Sequence, residues 1–434
     1  MKTKLSGQTW MAFFANAALP TVLALGIAVL PLMVAHPAAA QSFSLLHSFS
    51  GMNGADGSAP FDGLIVDSSG NFYGTTFNGG TFGFGTVYEL PAEGGEKVLY
   101  NFTGGNDGAN PAGSLILDGA SNLYGTTTSG GPNSCYFNIG CGVVFKLSPQ
   151  GTETILYTFT GQGDGGVPLA GLIRDARGNL YGTASQGGQV GTLCSVGCGV
   201  VFKLNPAGQE TVLHTFTGPP DGANPLAPLV QDSAGNLYGT TELGGAGCYG
   251  HISVYGCGTV FKLGRQGHET ILYSFTQASD GGSPQAGLVL DPGGNLYGTT
   301  TNGGDNQFCK LGNGFGCGVV FKVDPLGIET VLYAFPSGTA GAVPFASLVR
   351  DAQGNLYGTT AVGGSFSGIY ANGCGVVFKL TPSGYETVLH SFQLTDGCGP
   401  LGNLLVNKGY LYGTASGGGV DGAASLGVVF QLQP

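Results

Sequence analysis

From Phe43 to Leu432 the chain alternates short apolar runs with clusters of Gly, Asp, Asn and Pro. The runs are rich in β-branched and aromatic residues, and the clusters hold the residues that make tight turns. The pattern therefore predicts short strands joined by turns. Four runs recur in a fixed order. In one repeat they are Ala-Gly-Leu-Ile-Arg-Asp (170–175), Asn-Leu-Tyr-Gly-Thr (179–183), Gly-Val-Val-Phe-Lys-Leu (199–204) and Glu-Thr-Val-Leu-His-Thr-Phe (210–216). Asp-x-x-Gly-Asn joins the first run to the second, as between Asp291 and Asn295. That spacing predicts a tight hairpin in which Gly supplies a positive φ. The tyrosine of the second run falls at 73, 124, 181, 238, 297, 357 and 412, so the period is 51 to 60 residues.

A unit of four antiparallel strands every 50–60 residues is one blade of a β-propeller. Solenoid coils repeat at roughly 20–30 residues, which sets that alternative aside. Seven units occupy residues 41–434 as a single all-β domain, a seven-bladed β-propeller. The stretch Phe43 to Phe49 has the sequence of a fourth strand, and Val428 to Leu432 has that of a third. The N-terminal strand is therefore expected to complete the last blade and close the ring, removing exposed sheet edges.

The Asn-Leu-Tyr-Gly-Thr, Gly-Cys-Gly-Val-Val-Phe-Lys-Leu and Glu-Thr-Val-Leu-Tyr-Ser-Phe elements resemble the GloVer tandem repeat of choice-of-anchor bacterial surface proteins, over about residues 43–432. More loosely, the Leu-x-x-Asp-x-x-Gly-Asn-Leu-Tyr hairpin is similar to NHL-type propeller blades. That resemblance implies the Gly-Leu-Ile run innermost and the Glu-Thr-Val-Leu-Tyr run outermost. The GloVer resemblance implies export and a repeat scaffold, with no chemistry attached. The family's C-terminal anchor is not recognised here.

Residues 1–40 read differently. Lys2 and Lys4 precede an apolar run from about Met11 to Val34 that contains Pro20 and Pro31, and Ala38-Ala39-Ala40 precedes Gln41. This is the pattern of a secretory signal peptide rather than a retained membrane anchor. The product is expected to be secreted or periplasmic, monomeric, and off the membrane after cleavage. Of 434 residues 83 are Gly, and 9% are charged, against about 25% charged in an ordinary domain. Gly at that density disfavours helices. The net charge of −11 argues against a nucleic-acid partner.

The ten cysteines all follow residue 40. Four pairs lie between second and third strands: Cys135 with Cys141, Cys194 with Cys198, Cys248 with Cys257, and Cys309 with Cys317. Cys374 occupies the place of Cys141 without a partner in its own loop, and Cys398 lies in the next connection. An even count in an exported chain reads as disulfides, with Cys374–Cys398 the fifth. Thiolate metal binding fits less well, since the pairs lack zinc spacing and nearby histidines.

Most ionisable residues repeat with the blade and so are assigned to it. Asp67, Asp118, Asp175, Asp232, Asp291 and Asp351 begin hairpin turns, where a carboxylate accepts backbone hydrogen bonds. His47, His214 and His390 replace a tyrosine found in other blades and read as packing residues rather than ligands. His251 falls in a long loop. Asp-Gly-x-x-Pro precedes the innermost strand at Asp56, Asp107, Asp164, Asp221, Asp280 and Asp396, with Ala340 in the sixth blade. These six carboxylates are the candidate ligand-binding set. A ring of them at a tunnel mouth would suit Ca²⁺ or a cationic ligand, but turn capping is the favoured role and no cofactor is expected. No Gly-x-Ser-x-Gly, phosphate loop or His-Glu-x-x-His occurs. The chain is thus read as an exported binding or surface scaffold for an extracellular glycan or protein. The alternative is a lactonase, lyase or glycosidase with its site at the tunnel mouth. If the six aspartates only cap turns, calorimetric titration should show no Ca²⁺ binding tighter than about 10⁻⁴ M; tighter binding, lost in the Asp164→Asn, Asp221→Asn double variant, would show a shared cation.

Overall fold

The computed structural model describes residues 41–434 except 51–53, 134, 136–138, 192–193, 249–255, 305–308, 310–315, 366–371 and 421–425; the expected leader, 1–40, and His251 lie outside the described residues. The described strands form seven four-stranded antiparallel sheets, with a short ribbon of Gly222–Ala223 and Leu243–Gly244 in the fourth repeat. In the third blade, Ile173–Arg174, Leu180–Ala184, Val200–Leu204 and Glu210–Thr215 are neighbours in that order, and the other blades follow suit. The seventh blade takes Leu405–Asn407, Tyr410–Ala415 and Val428–Leu432, and its fourth strand is Phe43–Ser48. This N-terminal strand runs antiparallel to the last one, from Phe43↔Leu432 to Ser48↔Val428. The sequence expectation of a seven-bladed propeller closed by the N-terminal strand is met.

The Asp-x-x-Gly-Asn hairpins form as their chemistry requires. Asp175 Oδ1 accepts from the Arg177 and Asn179 amides at 2.9 Å each, and Oδ2 from Asn179 Nδ2 at 2.7 Å and the Tyr181 hydroxyl at 3.1 Å. Gly178 supplies the positive φ of 83°. The same bonds recur at Asp67, Asp118 and Asp291. Burial pushes against ionisation at Asp118, but these donors prevail and hold it near 2.

Each fourth strand ends in a phenylalanine that leaves its own blade. Phe49, Phe102, Phe159, Phe216, Phe275, Phe335 and Phe392 are at most 1% exposed. Each meets, edge to face, an aromatic ring in the third strand of the following blade, at centroid distances of 5.0 to 5.3 Å. That third-strand ring points at the glycine of Leu-Tyr-Gly-Thr. A Cβ on Gly182 would lie 2.7 Å from Phe202 Cζ, and on Gly125 2.6 Å from Phe145 Cζ. The glycine is there to make space for a ring. A bulge in the fourth strand of every blade, as beside Val201 and Phe202, skips one residue of the pairing. It shifts the strand's facing just before the phenylalanine.

Closure uses the same contact, Phe49 on Tyr88 across the seam. Phe49→Ala should therefore cost about 3–5 kcal/mol, read as a lower denaturant midpoint with unchanged slope. A midpoint like that of the parent would disprove closure through this strand.

Candidate functional site

One cavity of about 380 Å³ is lined by residues from all seven repeats and so lies on the ring axis. The lining comes from the segment entering each innermost strand. Its first position reads Phe61, Ala112, Leu169, Leu226, Gln285, Phe345 and Leu401, and Phe77 adds a ring beside Phe61 at 4.9 Å. The cavity is largely apolar.

Asp62 breaks that character. The equivalent position in the other repeats is Gly113, Ala170, Ala227, Ala286, Ala346 and Gly402. Its carboxylate accepts from the Gly63 amide (2.6 Å), Asn403 Nδ2 (2.8 Å) and the Ser114 amide (2.5 Å). Burial drives its pKa above the usual carboxylate range, opposed by these donors. Asn403 stands where other repeats have Gly, Ser or Pro, and its Oδ1 accepts from the Ser347 amide at 2.7 Å. Ser347 Oγ in turn accepts from the Gly287 amide at 2.9 Å. A chain of hydrogen bonds thus runs around the tunnel from blade five through six and seven to one and two. Behind Gln285, Glu242 accepts from Gln285 Nε2 (2.7 Å) and from Asn224 Nδ2. Burial raises its pKa too. Sequence reasoning missed Asp62, Asn403 and Glu242. The signal that finds them is departure from the repeat column, applied to the tunnel-lining columns.

The six aspartates expected near the tunnel mouth stand against the outermost strands instead. Asp107 accepts from Tyr100 OH (3.1 Å) and from the Thr103 amide (2.7 Å) and hydroxyl (2.6 Å). Asp164 and Asp280 repeat this with Tyr157 and Tyr273. Asp56 and Asp396 accept from the Ser50 and Gln393 amides and lie 3.2 Å from His47 and His390 Nε2. Asp221 accepts from the Thr217 amide and hydroxyl and its neighbour's amide, that of Gly222. The Asp-Gly-x-x-Pro segment crosses from the outer strand to the inner one. Its aspartate sits at the outer end, and the residue after proline reaches the tunnel.

Beside each of these aspartates except Asp396 stands the glutamate that opens the next blade's outer strand. Glu96, Glu153, Glu210, Glu269 and Glu329 rise to about 7, chiefly through burial and then through the neighbouring aspartate's charge; Glu386, with Tyr333 in place of an aspartate, rises to about 7 through burial.

All five disulfides are present: Cys135–Cys141, Cys194–Cys198, Cys248–Cys257, Cys309–Cys317 and Cys374–Cys398, with Cα separations of 4.3 to 5.5 Å. Each anchors a loop on the face where the tunnel cavity opens. Exposed Phe82, Phe84, Ile139 and Val190 belong to loops of that face.

The glutamate column makes stability depend on pH. A carboxyl whose pKa is higher in the folded chain contributes stability below its unfolded value, near 4.5, and loses it as pH rises through about 7. Thermal midpoints should fall between pH 5 and 8, and the triple variant Glu153→Gln, Glu210→Gln, Glu329→Gln should flatten that decline. A midpoint that climbs over this range would contradict the assignment.

The sequence model of the Gloeobacter/Verrucomicrobia repeat matches residues 35–253, 137–369 and 251–434. No curated protein matches. Among solved structures, the extracellular domain of a candidate one-component system from B. thetaiotaomicron aligns at 9% identity and TM-score 0.53, covering 88% of this chain and 40% of that one. A candidate 6-phosphogluconolactonase from Bacteroides uniformis aligns at 16% identity and TM-score 0.49, covering 82% and 90%. A luciferin-regenerating enzyme aligns at 11% and 0.43, covering 91% and 95%. At these identities the likeness concerns the fold alone.

Proposed function

The chain belongs to the Gloeobacter/Verrucomicrobia repeat family, and from that premise we propose that it is an exported binding propeller. Its ligand, part of an extracellular glycan or protein, seats at the axial cavity on the disulfide-bearing face. The observation that carries this reading is the cavity itself. It is apolar, shared by all seven blades, and interrupted by Asp62 and Asn403. Apolar walls with a few converging polar groups are the usual makeup of a ligand pocket. Five disulfides suit an oxidising compartment, and among the described residues no helix is long and apolar enough to cross a membrane.

An enzymatic reading draws on Asp62 and Glu242, two partly buried carboxyls with raised pKa values. Both carboxyls are engaged by amide donors that hold blades together, which favours binding over proton transfer.

Labelled exported protein should be retained by a subset of an oligosaccharide and peptide array. Phe345→Glu, at the cavity rim and 36% exposed, should weaken retention at least tenfold. Tyr385→Glu, in the hairpins of the opposite face, should leave it unchanged. Retention indifferent to Phe345→Glu would refute the axial site.

A further inference from the structure

Seven equivalent positions ring the outer edge between blades, at the penultimate residue of each fourth strand; five of them add both the aspartate after it and the glutamate of the next blade, while Ala340 replaces the aspartate after Tyr333 and Phe43 the glutamate beside His390. Four of these penultimate residues are tyrosine: Tyr100, Tyr157, Tyr273 and Tyr333. The first three use their hydroxyl to donate to the aspartate, so the group is closed by a hydrogen bond. Histidine changes the chemistry, because a neutral imidazole offers a lone pair at Nε2.

The three histidines are not alike. His390 is within bonding distance of Asp396, and Phe43 replaces the glutamate, stacked on the imidazole at 3.8 Å. His47 likewise bonds Asp56. His214 has no such bond: its Nε2 is shut off from solvent without a hydrogen-bond partner, 3.4 Å from Asp221 Oδ2. Glu269 Oε1 is equally enclosed and unpartnered. One ligand atom from each of His214, Asp221 and Glu269 lies within 4.8 Å of the other two, and among the described residues this is the one group of its kind. Asp221 is held in place by the Thr217 amide and hydroxyl and the Gly222 amide, the outer support that metal-binding carboxylates characteristically receive.

We propose that His214, Asp221 and Glu269 form a binding site for one divalent transition-metal ion, with zinc the fitting occupant, bridging blades three and four. One imidazole and two carboxylates match zinc, whose bonds of about 2.0–2.2 Å place tetrahedral ligands roughly 3.3–3.6 Å apart. The His214–Asp221 separation already meets this. Ca²⁺ is disfavoured, since it takes six to eight oxygens. Three protein ligands leave a fourth position for water or an external donor. The packing role assigned to His214 from sequence is thereby extended to that of a ligand.

The test uses the full exported chain, tag removed and stripped with chelator, titrated with Zn²⁺ by calorimetry and with Co²⁺ by visible absorption. The expected result is one ion per chain, a d–d band for bound Co²⁺, and a Zn²⁺-dependent rise in the thermal midpoint. His214→Tyr installs the residue that other blades carry and should fold normally. It should weaken binding at least a hundredfold and abolish the midpoint shift. Tyr157→His, beside Asp164 and Glu210, should add a second ion. No stoichiometric binding by the parent chain, or binding unchanged in His214→Tyr, would overturn the proposal.

Discussion

The contact on which the ring depends is the edge-to-face pair between the phenylalanine ending one blade's outer strand and the aromatic ring in the next blade's third strand. It is made seven times, each with a completely buried phenylalanine. Aromatic pairs in this geometry contribute beyond their buried area. Here they also set direction, because each blade gives a ring forward and receives one from behind. The tight glycine of Leu-Tyr-Gly-Thr follows from this contact, as does the bulge that turns the outer strand before its phenylalanine. A blade alone could not bury both rings, so the unit is stable as part of a closed array.

Closure then turns a local rule into a site. Seven segments converge on one axis, and small differences between repeats are brought face to face. In an open array Asp62 would lack its partners from the last repeat, Asn403 and Thr414. In the closed ring it meets Asn403 from the last repeat and Ser114 from the second, and Thr414 donates to its carbonyl at 2.9 Å. The junction between first and last blades therefore carries polar ties at the axis, while the N-terminal strand pairs inside the last blade at its edge.

The outer edge shows the opposite arrangement. There the repeat is nearly uniform, and its aspartates, tyrosines and glutamates answer one another between neighbouring blades. Each glutamate is partly buried, which raises the whole column, and all but Glu386 also stand beside another carboxyl, which adds to the shift. Where histidine replaces tyrosine, His47 and His390 still bond their aspartates, and only at His214 do the histidine, aspartate and glutamate stay unspent on one another.

What the sequence determined by itself was the local and periodic part. The alternation of apolar runs and turn residues specifies strands, the Asp-x-x-Gly-Asn spacing specifies hairpins, and the 51–60-residue period specifies blades, because these are properties of contiguous chain. The pairing of cysteines six or so residues apart was equally legible. The tertiary structure alone decided where the Asp-Gly-x-x-Pro carboxylates stand. That segment spans a blade from edge to axis, and sequence order does not reveal at which end a residue sits. The tertiary structure likewise brought Asp62, 341 positions from Asn403, into one hydrogen-bonded arc, since ring closure joins residues that no local pattern relates.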